Sequence, residues 1–201
     1  MKIFNSRTDY SRMRKALCYY QQAPPVIKLS RFLNVEKIRP GRLGVPLPHN
    51  SGPSVRLVDI VCFCLMPTHV HVLLRQLRGK GISVFMSNVL NSYTRYFNTK
   101  YKRRGTLWEG RFKSVLIKTQ EQLMHVTRYI HLNPVTAGLV EKPEEWAPSS
   151  YREYVGMVSG RNRICAYGDL LTIEAGRYAE FVNDRISYQR HLARIKKLML
   201  E

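Results

Sequence analysis

Between Val55 and Arg75 the chain carries two runs rich in β-branched and apolar residues, Val55 to Cys64 and Thr68 to Arg75, with the turn-like Met66-Pro67-Thr68 between them. β-Branched side chains favour the pleated conformation, so this stretch reads as two neighbouring strands or one bent strand. Directly afterwards the period changes. Ile82 to Tyr101 places Val84, Phe85, Val89, Leu90, Tyr93, Tyr96 and Phe97 at helical intervals, which predicts a long helix packed against a sheet. Strand-forming and helix-forming segments in one short chain are compatible with an α+β fold.

The flanks extend this pattern. Asp9 to Gln22 has Tyr10, Met13, Leu17 and Tyr20 at helical spacing, and Pro24-Pro25 ends it. Residues 23–53 hold six of the ten prolines together with Gly41, Gly44 and Gly52, and read as an extended loop with a short helix around Leu29 to Lys37. Phe112 to Ile117 is strand-like. Gln120 to Ile130 reads as a helix closing near Asn133-Pro134, because the residue before a proline resists the helical region. Tyr151 to Val155 and Tyr178 to Leu200 are helical in pattern, ending in the basic Arg190, Arg194, Lys196 and Lys197. The expected organisation is one domain over 1–150 and a helical C-terminal extension over 151–201.

Charge limits the partners. Lys and Arg number 33 against 14 Asp and Glu, a formal net charge of +19. Such an excess implies a polyanion or an anionic membrane surface. Nucleic acid is favoured, since the most apolar stretch, Val55 to Leu74, is interrupted by Arg56, Asp59, Pro67, His69 and His71 and cannot span a bilayer. The polar N-terminus lacks the apolar core of a secretory signal, which predicts an intracellular chain with free thiols at Cys18, Cys62, Cys64 and Cys165. Lys100, Lys102, Arg103, Arg104, Arg111 and Lys113 face Glu109 alone, making this the strongest phosphate-contact candidate; Trp108 among them is the best candidate for stacking on a base. Tyr93 and Tyr96 read as core contacts of the long helix.

Two short patterns carry chemistry. In His69-Val70-His71 the imidazoles sit at i and i+2 of a strand, project from one face and can share a metal ion. Taken alone, such a pair is more often two ordinary polar side chains. In Tyr129-Ile130-His131-Leu132-Asn133 a phenol and a carboxamide four residues apart share a helical face. Taken alone, that reads as a core tyrosine near a helix end.

Together the patterns are more specific. Leu65-Met66-Pro67-Thr68-His69-Val70-His71-Val72-Leu73-Leu74 and Tyr129-Ile130-His131-Leu132-Asn133-Pro134-Val135-Thr136-Ala137-Gly138-Leu139-Val140 resemble the motifs of single-tyrosine HUH transposases, above all the REP-associated tyrosine transposases. Leu107-Trp108-Glu109-Gly110-Arg111-Phe112-Lys113-Ser114 resembles that family's basic strand, and the likeness runs over roughly positions 55–155. The resemblance implies a ferredoxin-like antiparallel sheet with helices on one face. It implies His69, His71 and Asn133 as ligands of a divalent metal, Mg²⁺ or Mn²⁺, and Tyr129 as the nucleophile; His131 lies off that face and reads as structural.

The implied activity is that of a DNA transposase that cleaves and rejoins single-stranded DNA, hairpin-containing or not, through a 5′-phosphotyrosine. It would act as a monomer or homodimer in a prokaryotic cytoplasm, nucleoid-associated when bound to DNA. A free tyrosine has a pKa of about 10, so the phenol needs assistance at neutral pH. Nitrogen donors would by softness also accept Zn²⁺ or Ni²⁺.

The chain departs from the family pattern in several places. Only Met1 to Thr8 precede the first helix, so Met1 to Ser6 must stand in for a first strand, or the backbone hydrogen bonds of its neighbour must be met otherwise. The 23–53 loop is longer than the pattern, and Thr68 replaces a common Asn. Two rival readings remain. A catalytically inactive or domesticated basic nucleic-acid-binding protein would share the charge and fold. A zinc cluster of Cys62, Cys64, His69 and His71 would need the turn at Pro67 to reverse strand parity, so two buried core cysteines are the better reading.

Overall fold

The computed structural model describes residues 1–23, 28–38, 55–158 and 160–188. In chain order the elements are α1 (Arg7–Tyr19), β1 (Gln22–Ala23), α2 (Leu29–Ile38), β2 (Val55–Arg56), β3 (Val58–Met66), β4 (His69–Gln76), α3 (Gly81–Lys100), α4 (Gln120–Thr136), α5 (Tyr151–Tyr154) and α6 (Ala175–Asn183), with 3₁₀ turns at Pro143–Glu145 and Gly160–Asn162. The class is α+β. β3 and β4 pair through the two-residue turn Pro67-Thr68, and β1 pairs antiparallel with β2. The expected loop over 23–53 and the basic end of the C-terminal helix lie largely outside the described residues; within them, the short helix expected near Leu29 is present as α2. The chain divides into two compact units, residues 1–59 with 74–114, and residues 60–73 with 115–201.

The first unit is built on α1 and α3. Met13, Ala16 and Leu17 of α1 and Phe85, Val89, Tyr93 and Phe97 of α3 are buried, as their helical spacing requires. Met1 to Ser6 forms no strand. Ile3 and Phe4 are nevertheless core residues: the Tyr93 hydroxyl donates to the Ile3 carbonyl at 2.6 Å, and Phe4 stacks on Tyr10 with ring centroids 4.6 Å apart. Fully buried Asp9 accepts hydrogen bonds from the Asn5 and Ser6 backbone N–H groups, the Tyr96 and Tyr101 hydroxyls and the Lys100 ammonium. Burial alone would raise its pKa, but these donors outweigh that effect and hold it at about 2.

In the second unit all of β3 is buried, and its backbone is satisfied by the chain that follows α4. Ser150 N–H donates to the Phe63 carbonyl at 3.0 Å, Pro148 accepts from Leu65 N–H at 2.9 Å, and Ala166 N–H donates to the Ile60 carbonyl at 2.9 Å. The Tyr154 hydroxyl and the Trp146 indole donate to the carbonyls of Val61 and Leu65. Polar groups of this buried strand are thus met by later segments. Cys62 and Cys64 are core residues of β3, and burial raises both thiols, Cys64 to about 12.

Two local expectations are corrected. Phe112 to Ile117 forms no strand, and Val115 and Leu116 are largely exposed. β-Propensity supplies an extended backbone, whereas a strand also requires a partner. α4 does not close at Asn133 but continues through Pro134 to Thr136. The proline lies one turn from the end, its ring is buried, and the following backbone is held by Ala137 N–H to the Asn133 carbonyl and Leu139 N–H to the Pro134 carbonyl, each 2.9 Å.

Candidate active site

β4 and α4 supply the site, and both parts of it belong to the second unit. As strand parity requires, His69 and His71 emerge on one face of β4, with ring centroids 4.7 Å apart and planes at 90°. The Thr68 hydroxyl lies 3.0 Å from His69 Nδ1, which occupies that nitrogen and leaves Nε2. His71 Nε2 is buried and has no hydrogen-bond partner. Burial first, and the neighbouring His69 second, lower the His71 pKa to about 4; burial also lowers that of His69. Both rings are thereby held in the neutral form, the form that ligates a metal.

α4 starts at a Thr119 cap, whose side chain accepts the Gln122 N–H at 3.1 Å. Its face carrying Tyr129 and Asn133 differs from the face carrying His131. The Tyr129 ring is 54% exposed and meets His71 edge to face, with centroids 5.8 Å apart and planes at 81°. Asn133 Nδ2 donates to the Tyr129 carbonyl at 2.9 Å, fixing the carboxamide one turn along and leaving Oδ1 without that duty. The orphaned His71 nitrogen and the His69 imidazole beside it are nitrogen donors of the kind divalent cations accept, and Asn133 carries a carboxamide oxygen on the helix that bears Tyr129. Among the described residues no three or more His, Cys, Asp or Glu gather as a metal group, so the cysteines do not join the histidines in a zinc cluster.

His131 is fully buried as an anchor. Its Nδ1 lies 2.6 Å from the Tyr178 hydroxyl and its Nε2 lies 2.8 Å from Ser150 Oγ, while the Ser150 side chain also accepts Phe63 N–H at 2.9 Å. The set closes with a neutral imidazole carrying its proton on Nε2 and accepting from Tyr178. Burial lowers the His131 pKa to about 3. Sequence reasoning had no means of finding Ser150 or Tyr178, which secure the helix bearing Tyr129. Neither lies in a motif, and both act through contacts distant along the chain.

The basic candidates from Lys100 to Lys113 lie in the first unit and are not equivalent. Lys102, Arg104, Arg111 and Lys113 are exposed. Lys100 is committed to Asp9 at 2.6 Å and also bonds to the Ser6 and Thr8 hydroxyls. Arg103 ties down its own loop, donating to the Thr106 carbonyl at 2.9 Å. The Trp108 indole N–H is held by Thr94 Oγ1 at 3.0 Å and the Leu90 carbonyl at 3.3 Å, so the ring is anchored to α3. Tyr93 is fully buried, and the Tyr96 hydroxyl is bonded to Asp9.

Residues 55–133 match the family described as transposase, IS200-like, a span that starts at β2 and ends on Asn133. Over 108 residues the chain is 30% identical to a Haemophilus influenzae protein described as a REP-associated tyrosine transposase, covering 48% of this chain and 61% of that relative's length. No solved structure matches the chain. Among the described residues no helix is long and apolar enough to cross a membrane. Through the region 55–133, which holds the histidine pair, Tyr129 and Asn133, the chain is similar to the IS200-like transposase family, and it spans about 61% of the length of the curated relative it matches.

Proposed function

We propose that this protein is a DNA transposase that cleaves and rejoins single-stranded DNA in the cytoplasm, with Tyr129 as its nucleophile. The observation that carries the reading is the convergence of Tyr129 with His71 in one unit, beside a buried imidazole nitrogen that lacks a partner. In the cleavage step the Tyr129 oxygen attacks a DNA phosphorus. The new phosphorus–oxygen bond forms as the bond to the 3′ oxygen breaks, the phenol proton passes to solvent, and the departing oxygen takes up a proton to become a 3′-hydroxyl. The DNA is left as a 5′-phosphotyrosine that keeps one phosphodiester's worth of reactivity, so a 3′-hydroxyl can reverse the step and release the phenol.

His69 Nε2, His71 Nε2 and Asn133 Oδ1 would hold a divalent cation, Mg²⁺ or Mn²⁺, which when bound polarises the scissile phosphate. The protein's own contribution is to keep both imidazoles unprotonated by burial and to fix the Asn133 carboxamide against the Tyr129 carbonyl. His131, Ser150 and Tyr178 position the helix and touch no reacting atom.

The decisive experiment is incubation of the full chain with a pool of single-stranded oligonucleotides, with and without Mn²⁺, followed by digestion and mass spectrometry. DNA attached to the Tyr129 peptide only when metal is present is the expected result. Binding without any adduct would favour the domesticated nucleic-acid-binding reading instead.

A further inference from the structure

The first unit contains an open groove of about 1130 Å³ walled by α1, α2 and α3. Its lining follows helical periodicity. Thr8, Ser11, Arg12 and Lys15 recur at i, i+3, i+4 and i+7 along α1, on the face opposite buried Met13 and Leu17. α3 presents Asn88, Asn91, Ser92 and Arg95 with the same spacing, alongside the buried stripe of Phe85, Val89 and Tyr93. The segment entering α2 adds Lys28. Among the described lining residues there is no Asp or Glu.

Lys100 also reaches the groove, but its charge is spent on Asp9. Arg12 is different. Its guanidinium lies 5.4 Å from the Tyr96 ring centroid, and its Nε is buried without a hydrogen-bond partner. A buried donor left unpaired is costly, the more so on a charged group, and a phosphate oxygen would satisfy it. The described lining therefore offers cations and neutral donors, and the nearby Asp9 carboxylate is buried and neutralised by Lys100.

We propose that this groove is a DNA-backbone site, taking the phosphodiesters of a strand on Arg12, Lys15, Lys28 and Arg95. Its length suits a polymer better than a single small anion: Asn88 to Thr99 on α3 runs about 16 Å at 1.5 Å per residue, roughly the rise of five nucleotides of one strand. Two of its three walls, α1 and α2, lie outside the matched residues 55–133, so the site belongs to this chain's own N-terminal part. The inference does not depend on the tyrosine chemistry, because the groove would hold a strand even if Tyr129 were inert.

The test uses full-length Tyr129→Phe protein as host, so failure of the nucleophile assignment leaves it readable. Binding of a labelled oligodeoxythymidine strand is followed by anisotropy across a salt series. Replacing the peripheral cations together, Lys15→Gln, Lys28→Gln and Arg95→Gln, should weaken binding at low salt by about tenfold or more and reduce the salt slope by about two. Arg12→Gln alone should reduce the slope by about 0.7. A control with the same charge change at exposed sites, Lys2→Gln, Lys142→Gln and Arg177→Gln, should retain most of the affinity. Bromodeoxyuridine crosslinks to the α1 and α3 peptides would locate the strand. Equal losses in the groove and control variants, or crosslinks only to peptides outside α1, α2 and α3, would overturn the proposal.

Discussion

The rings of His71 and Tyr129 meet edge to face with centroids 5.8 Å apart, although one belongs to a strand and the other to a helix that follows much later in the chain. Tyr129 is more exposed than buried, so its hydroxyl does little for packing. Tyr129→Phe is expected to abolish the covalent DNA adduct while changing stability by no more than about 0.5 kcal/mol. Adduct formation read on a denaturing gel, beside a thermal melt, separates the two effects. An adduct that survives in the phenylalanine variant would sink the assignment of the nucleophile.

Removing the orphaned nitrogen tests the metal. His71→Ala should lose calorimetric Mn²⁺ binding and adduct formation together, because two of three donors make a poor site and second-site compensation is absent from the ligand set. The fold should persist, since His71 is only half-buried and its Nε2 bonds to nothing in the protein. EDTA should reproduce the variant's phenotype in the unmodified protein. Unchanged Mn²⁺ affinity in His71→Ala would place the cation elsewhere.

Much of this arrangement was legible because it is local. The periods of α1 and α3, the β3–β4 hairpin and the two motifs depend on neighbours within a few residues. What was hidden depends on remote partners. Asp9 marked only the start of a helical stretch and Lys100 read as a phosphate contact, yet Lys100 pairs with the buried Asp9, a contact that only the packing of α1 on α3 creates. Phe112 to Ile117 had strand propensity with no strand to join. At the candidate site, the histidine face and the tyrosine–asparagine spacing could be read directly, whereas the Ser150–His131–Tyr178 anchor could not.

Gly81 opens α3 directly after Lys80, which has a left-handed φ of 62°. A Cβ on Gly81 would collide with the Leu57 carbonyl, and that carbonyl is pinned by the Leu77 N–H at 3.0 Å. Alanine normally gains about 1 kcal/mol over glycine within a helix. Here the clash should win, with Gly81→Ala costing about 1–3 kcal/mol net. Chemical denaturation would show it as a lower midpoint at unchanged slope, and a stabilised variant would contradict the packing described.

Asp9 gives the fold an acid limb with a calculable sign. Its folded pKa is about 2 against 3.8 for the unconstrained carboxyl, so the unfolded chain binds the proton more readily across that window. The stabilisation is complete above pH 3.8 and is lost as pH falls through 2; the shift is worth about 2 kcal/mol. Asp9→Asn keeps the shape but removes the charge facing Lys100 and cannot accept all five donors as well, so at neutral pH it should cost about 2–4 kcal/mol. The gap between the two proteins should then narrow as pH drops from about 4 towards 2, because the native carboxylate is being neutralised there while the amide is indifferent to pH. Urea unfolding midpoints at pH 7, 4, 3 and 2 measure this directly. A gap that stays constant over the series would mean that the Asp9 pKa is not depressed in the folded protein.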